Sequence, residues 1–189
     1  MGRVIPFVAC VLVTSIASAT VLVPAEFREI VSGSQIIAHA RIVDVRPAWA
    51  DGRRWIDSVV TADVVSYLKG ASDQETISFK VPGGQLGRYR SVVVGAPTFK
   101  RGDEAVLFLK RQGEDLPNVF GLNQGVFRVR VDSRTGERIV VPPPTMKTDE
   151  SAPEPQRVSR GALDRRPLAF DAFGARVREV MAATRKGVR

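Results

Sequence analysis

The chain has 189 residues, 44% hydrophobic and 25% charged, the balance of a globular protein large enough for one domain with appendages. Lys and Arg number 28 against 20 Asp and Glu, a formal net charge of +8, and there is one Cys and one His. That count excludes thiolate clusters, multi-histidine metal sites and most nucleophile triads, and no cofactor is expected.

The first predicted element is a targeting segment. Arg3 precedes the almost wholly apolar run Val4 to Ile16, and Ala17-Ser18-Ala19 offers the small residues of a cleavage site. Residues 1–19 therefore read as a signal peptide cut after Ala19, which makes the protein periplasmic or extracellular. Left uncut, Val4 to Val23 has the length of a membrane anchor. Phe7-Val8-Ala9-Cys10 loosely resembles a lipidation motif, with too short an apolar segment in front of it. Cleavage removes the only Cys and leaves no membrane-embedded part, so the exported domain at 20–141 must be held by its core without disulfides.

Phe27, Ile30 and Val31 at helical spacing predict a short helix over Pro24 to Ser32, stopped by Ser32-Gly33-Ser34. Strands follow, bounded by Gly, Pro, Asp and Asn. In Gln35 to Arg46 the apolar set Ile36, Ala38, Ala40 and Ile42 gives way to Val43 and Val45, a phase slip that predicts a β-bulge. Further strands are expected at Trp55 to Tyr67, Thr76 to Val81, Tyr89 to Val94, Ala105 to Lys110, Val119 to Leu122, Val126 to Val131 and Arg138 to Val141, the last pair joined by the hairpin loop Asp132 to Gly136. Such a set is all-β, and about seven short strands close most economically as a barrel or sandwich. Half of the prolines fall in residues 142–167, which predicts an extended linker. At 168–189, Leu168, Phe170, Phe173, Val177, Val180 and Met181 predict an amphipathic C-terminal helix docked on the barrel, with Arg176, Arg178 and Arg185 on its other face.

The chemistry is sparse. His39 falls opposite Ala38, Ala40 and Ile42, a position expected to face solvent; a role as general base lacks any nameable nucleophile. Asp57 and Glu104 are the carboxylates an enzyme would use, and Asp103 reads as a turn residue. Pro82-Gly83-Gly84-Gln85-Leu86-Gly87 is not a phosphate loop, because a strand rather than a helix follows it.

Several stretches carry a resemblance. Ile36 to Val45, Val59 to Val65 ending in Tyr67-Leu68-Lys69-Gly70, Gly102 to Leu109 and Gly121 to Val129 are similar to a group of exported bacterial proteins of unassigned function. More distantly, the first two strands, the Leu-Lys-Gly end and the Gly-led strand at Ala105 to Leu109 resemble the netrin-like domain of the tissue inhibitors of metalloproteinases. That resemblance implies an OB-like barrel. It transfers no site residue, because those inhibitors chelate zinc with an N-terminal cysteine and brace the barrel with disulfides, whereas here the expected terminus is Thr20 and no cysteine remains.

The expected function is a non-enzymatic binding or accessory module for another exported protein, a peptidase being the partner class the distant resemblance suggests. The candidate surface is the Pro82 to Pro97 region, with Gly83, Gly84, Arg88, Tyr89 and Arg90 and the run Val92-Val93-Val94. The alternative is a basic and aromatic barrel face binding a polyanion or oligosaccharide through Arg53, Arg54, Arg88, Arg90, Trp55 and Tyr89, with Trp49 nearby. Nucleic acid is not an expected partner of an exported protein.

Overall fold

A computed structural model describes residues 24–70, 73–144 and 166–186. The expected signal peptide at residues 1–19 and residues 145–165 of the Pro-rich stretch lie outside the described residues.

Strands dominate, at 46% of the described residues, and five of them close into a barrel of the all-β, OB-like type expected. A short helix, α1 (Phe27–Gly33), leads into two long strands, β1 (Ile36–Ala50) and β2 (Trp55–Lys69), followed by β3 (Thr76–Pro82). A small hairpin of β4 (Gly84–Leu86) and β5 (Tyr89–Ser91) precedes β6 (Glu104–Lys110), β7 (Asn118–Val119), β8 (Val126–Val131) and β9 (Arg138–Val141). After residues 142–167 the chain adds β10 (Leu168–Ala169) and ends in α2 (Phe170–Lys186). The sheet order β1-β2-β3-β7-β6 closes through a second pairing of β1 with β6, while β8, β9 and β10 continue outward from β6.

Closure requires β1 to serve two neighbours and bend between them. It pairs β6 from Ile36↔Leu109 to Arg41↔Glu104, and β2 along nearly its whole length. One register shift falls between Ile42 and Asp44, the position of the predicted bulge. The extra residue keeps Val45 packed against the interior after Ile42, so one strand lines the barrel and then its mouth. The interior core is made largely of small and aliphatic side chains: Ala38, Ala40, Ala62 and Ala105 with Ile42, Val60, Leu107 and Val126. Phe79 and Phe99 meet edge to face at 5.5 Å near one end.

A second core lies outside the barrel wall. Ile37, Val106, Phe108, Phe127, Val129 and Val140 project outward and are covered by Phe27, Ile30 and Val31 of α1 and Phe173 and Val177 of α2. Phe27, Phe108, Phe127 and Phe173 contact one another in pairs with centroids 5.1–6.3 Å apart. The C-terminal helix thus docks as expected, although Arg176 lies over the Phe27 ring at 5.3 Å rather than on the outer face with Arg178 and Arg185. At the start of α1 the Glu26 N–H donates to Glu29 Oε2 at 2.8 Å. At its end Lys69 Nζ donates to the Val31 carbonyl at 2.7 Å and the Ser32 carbonyl at 3.3 Å, so the last carbonyls of a short helix are met by a cation from β2.

Three expectations are corrected. His39 is only 1% exposed, because α2 covers the face on which it sits. The strand expected at Tyr89 to Val94 stops at Ser91, since Val93 to Ala96 form a turn closed by the Ala96 N–H on the Val93 carbonyl at 3.1 Å. The strand expected at Val119 to Leu122 is cut to Asn118–Val119, where the backbone turns left-handed at Gly121 and Leu122 and enters a 3-10 turn.

Candidate binding site at the barrel mouth

Beyond the bulge, β1 and β2 leave the barrel together as a two-stranded arm, paired from Val45↔Val60 to Ala50↔Trp55. Its tip turns through Asp51, Gly52 and Arg53, all at positive φ, and Arg54 Nη1 reaches Asp51 Oδ2 at 3.3 Å. Alternation along paired strands places Trp49 and Ile56 on one face of the arm and Trp55 on the other.

The chain leaving β3 is folded back over the face that carries Trp49. The Gly83 N–H donates to the Ile56 carbonyl at 3.1 Å, and Ser58 Oγ donates to the Gly83 carbonyl at 2.8 Å. Gly83 takes φ +95, which a side chain would oppose, and a Cβ on Gly84 would stand 2.8 Å from Ser58 Oγ. These two glycines let the β4–β5 hairpin approach the arm. The Ile56 N–H donates to Ser91 Oγ at 2.9 Å, and the rings of Tyr89 and Trp49 meet at 5.3 Å. Arg88 lies over the Tyr89 ring at 5.1 Å and donates to its hydroxyl at 2.9 Å.

Between the hairpin and the barrel opens a groove of about 410 Å3, floored by Val45, Val60, Val81 and Phe99 and edged by Gln85 and Arg90. Barrel mouths are where ligand sites form, because interior apolar residues there are reachable from solvent. Val92 and Val93 line its rim and Val94 follows them, exposed at 68%, 41% and 78%. Gly83, Gly84, Arg88, Tyr89 and Arg90 are therefore brought together. Arg53 and Arg54 sit apart at the arm tip, and Trp55 faces away from Tyr89, so the proposed basic and aromatic set is divided between two faces. Val45, Val60 and Val81 were read from the sequence only as strand positions, and Phe99 falls in none of the expected elements; no local signal marks where a barrel opens.

The carboxylates do other work. Asp103 accepts from Arg128 Nη1 at 2.8 Å and from the Lys100 N–H at 2.9 Å, the turn role expected of it. Glu104 Oε1 lies 2.6 Å from His39 Nε2, with Arg41 at 3.5 Å and Arg138 at 3.8 Å. The His39 ring also meets Phe170 at 4.5 Å, and Arg138 covers the other ring of that pair at 4.9 Å. This cluster ties the start of α2 to β1, β6 and β9. Asp57 lies on β2 opposite Ala48 and Pro82, on the face of the arm turned away from the groove. Burial holds the Lys69 amine below the usual lysine range. Among the described residues no group of three or more His, Cys, Asp or Glu could hold a metal ion, and no helix is long and apolar enough to cross a membrane. Comparison with protein-family models, curated proteins and solved structures finds no match to this chain.

Proposed function

We propose that the protein is an exported, non-catalytic binding module that holds another exported protein at the mouth of its barrel. The observation that carries this reading is the exposed valine run Val92-Val93-Val94 at the rim of an apolar-floored groove, directly after a hairpin fixed by Gly83, Gly84, Ser58 and Ser91. Contiguous apolar exposure of this kind is what interaction surfaces present before they are covered. His39, Asp103 and Glu104 are engaged in contacts that hold the fold, which supports binding over catalysis.

The test is capture of exported proteins on the immobilised chain, comparing the native sequence with Val92→Ser/Val94→Ser. Both residues are exposed, so stability should change by no more than about 0.5 kcal/mol. One protein retained through a moderate-salt wash by the native chain and lost from the variant is the expected result. Assay of that protein for peptidase activity, with and without the module, tests the partner class suggested by the netrin-like resemblance. Retention unchanged in the variant removes the barrel mouth as the site. Capture of many acidic species that salt abolishes would favour polyanion binding instead.

A further inference from the structure

We infer that the partner is held as an added β-strand along the free edge of β5, by an extended segment that sets a carboxylate opposite Arg90 and an apolar side chain opposite Val92; this rests on the binding reading above. β5 pairs β4 alone, through Leu86↔Tyr89, Gln85↔Arg90 and Gly84↔Ser91. Across a two-residue hairpin loop, Gly87-Arg88, the closing pair Leu86↔Tyr89 exchanges backbone hydrogen bonds, and so does Gly84↔Ser91 two steps on. Arg90 lies between them, so its N–H and carbonyl point away from β4. Alternation gives Val92 the same direction, and its backbone has no hydrogen-bond partner among the described residues. Two residues with outward donors and acceptors form the template that strand addition uses.

The side chains state the chemistry of the incoming strand. Arg90 and Val92 share one face by alternation, and both are exposed. Arg90 makes no ion pair among the described residues, whereas Arg54, Arg41 and Arg128 each have a carboxylate. From Pro82 to Phe99 the sequence contains two arginines and no acidic residue, so the edge is cationic at one end and apolar at the other. A strand with Glu or Asp two positions before Val or Ile matches that order in parallel register, and one with the acid two positions after the apolar residue matches it in antiparallel register. Val92 is β-branched, a side chain that suits a paired strand, and directly precedes the turn at Val93 to Ala96.

The probe is a soluble octapeptide, Thr-Glu-Thr-Val-Thr-Glu-Thr-Val, which sets Glu two positions from Val on one face of a strand read in either direction; it is titrated into the full chain, with a second peptide of the same sequence methylated on every other backbone nitrogen and a third with Lys for Glu. The expected result is binding of the first peptide, slowed exchange of the Arg90 and Val92 amides, at least about tenfold weaker binding of the N-methylated peptide, and loss of binding with the Lys peptide. Because methylation alters only the ligand, misfolding of the protein cannot mimic this outcome. Val92→Pro, which deletes one edge donor, should weaken the first peptide by a similar factor. Binding equal for the methylated and unmethylated peptides, or no binding at the highest soluble concentration, overturns strand addition. The two readings separate by a further comparison: if Val92→Ser/Val94→Ser abolishes capture of the exported protein while methylation has no effect, the binding module stands and the strand-addition mode falls.

Discussion

The two faces of the barrel wall are packed by different means. Inside, residues from opposing strands crowd one axis, and the wall is lined with alanines at positions 38, 40, 62 and 105, which leave room for Leu107, Ile42 and Phe79. Outside, the wall meets two helices that stand a layer away, and the gap is filled by Phe27, Phe108, Phe127 and Phe173. A narrow cylinder selects small residues, and a sheet facing helices selects large ones. The same strand satisfies both demands: Ala38 and Ala40 face in, while Ile37 and His39 face the helical layer. A barrel of this size therefore gains a second core only because chain remains at both ends to cover it.

Removing one ring from each layer is the strongest way to break this distinction. Phe79→Ala and Phe173→Ala should each cost about 3–5 kcal/mol in denaturant unfolding. Their footprints should differ: Phe173→Ala is expected to speed amide exchange in α1 and α2 while β1, β2 and β3 keep their protection, and Phe79→Ala to expose the barrel strands. Equal loss of protection everywhere in both variants would make the two layers one cooperative unit.

A smaller effect is expected at the polar contact within the outer layer. His39→Ala leaves Glu104 with only the more distant Arg41 and Arg138, and removes the ring under Phe170; a loss of about 1–3 kcal/mol is expected, with faster exchange in the first turn of α2. An unchanged unfolding midpoint would show that Phe170 alone holds the helix start. The smallest effect is alkaline. Burial lowers the Lys69 pKa in the folded chain, so between that value and 10.5 the unfolded chain holds a proton that the folded chain has released. Stability should therefore rise with pH across that window and level off above it, and Lys69→Met should lack this contribution. The difference between native and Lys69→Met unfolding midpoints, measured from neutral pH upward, checks the sign.

Much of the fold was legible because alternation is a short-range record of burial. The step from Ile42 to Val45 announced the bulge, and Asp132 to Gly136 announced the β8–β9 hairpin. His39 was misplaced because alternation fixes only the face a residue occupies; whether that face is wet depends on a helix beginning more than a hundred residues later. A signal was present in Ala105-Val106-Leu107-Phe108-Leu109, whose unbroken apolar run marks a strand covered on both sides. The candidate site was legible in part. Gly83 and Gly84 read as a turn on the candidate surface rather than as the close approach to Ser58 they make, and three β-branched valines after Tyr89 read as strand, since propensity does not report whether a partner strand exists. The division of Trp55 from Tyr89 followed from strand pairing, which sequence spacing does not supply.

The short strand β10 has a topological consequence. Leu168↔Val140 and Ala169↔Ile139 return the chain to the strand it left at Val141, so residues 142–167 form an excursion whose two ends are clasped side by side. A single peptide-bond cut within that excursion would sever the polypeptide without separating its pieces, because β10, Phe173 and Val177 keep the trailing fragment seated. The nicked protein should travel as one species in native gel filtration and as two bands once denatured.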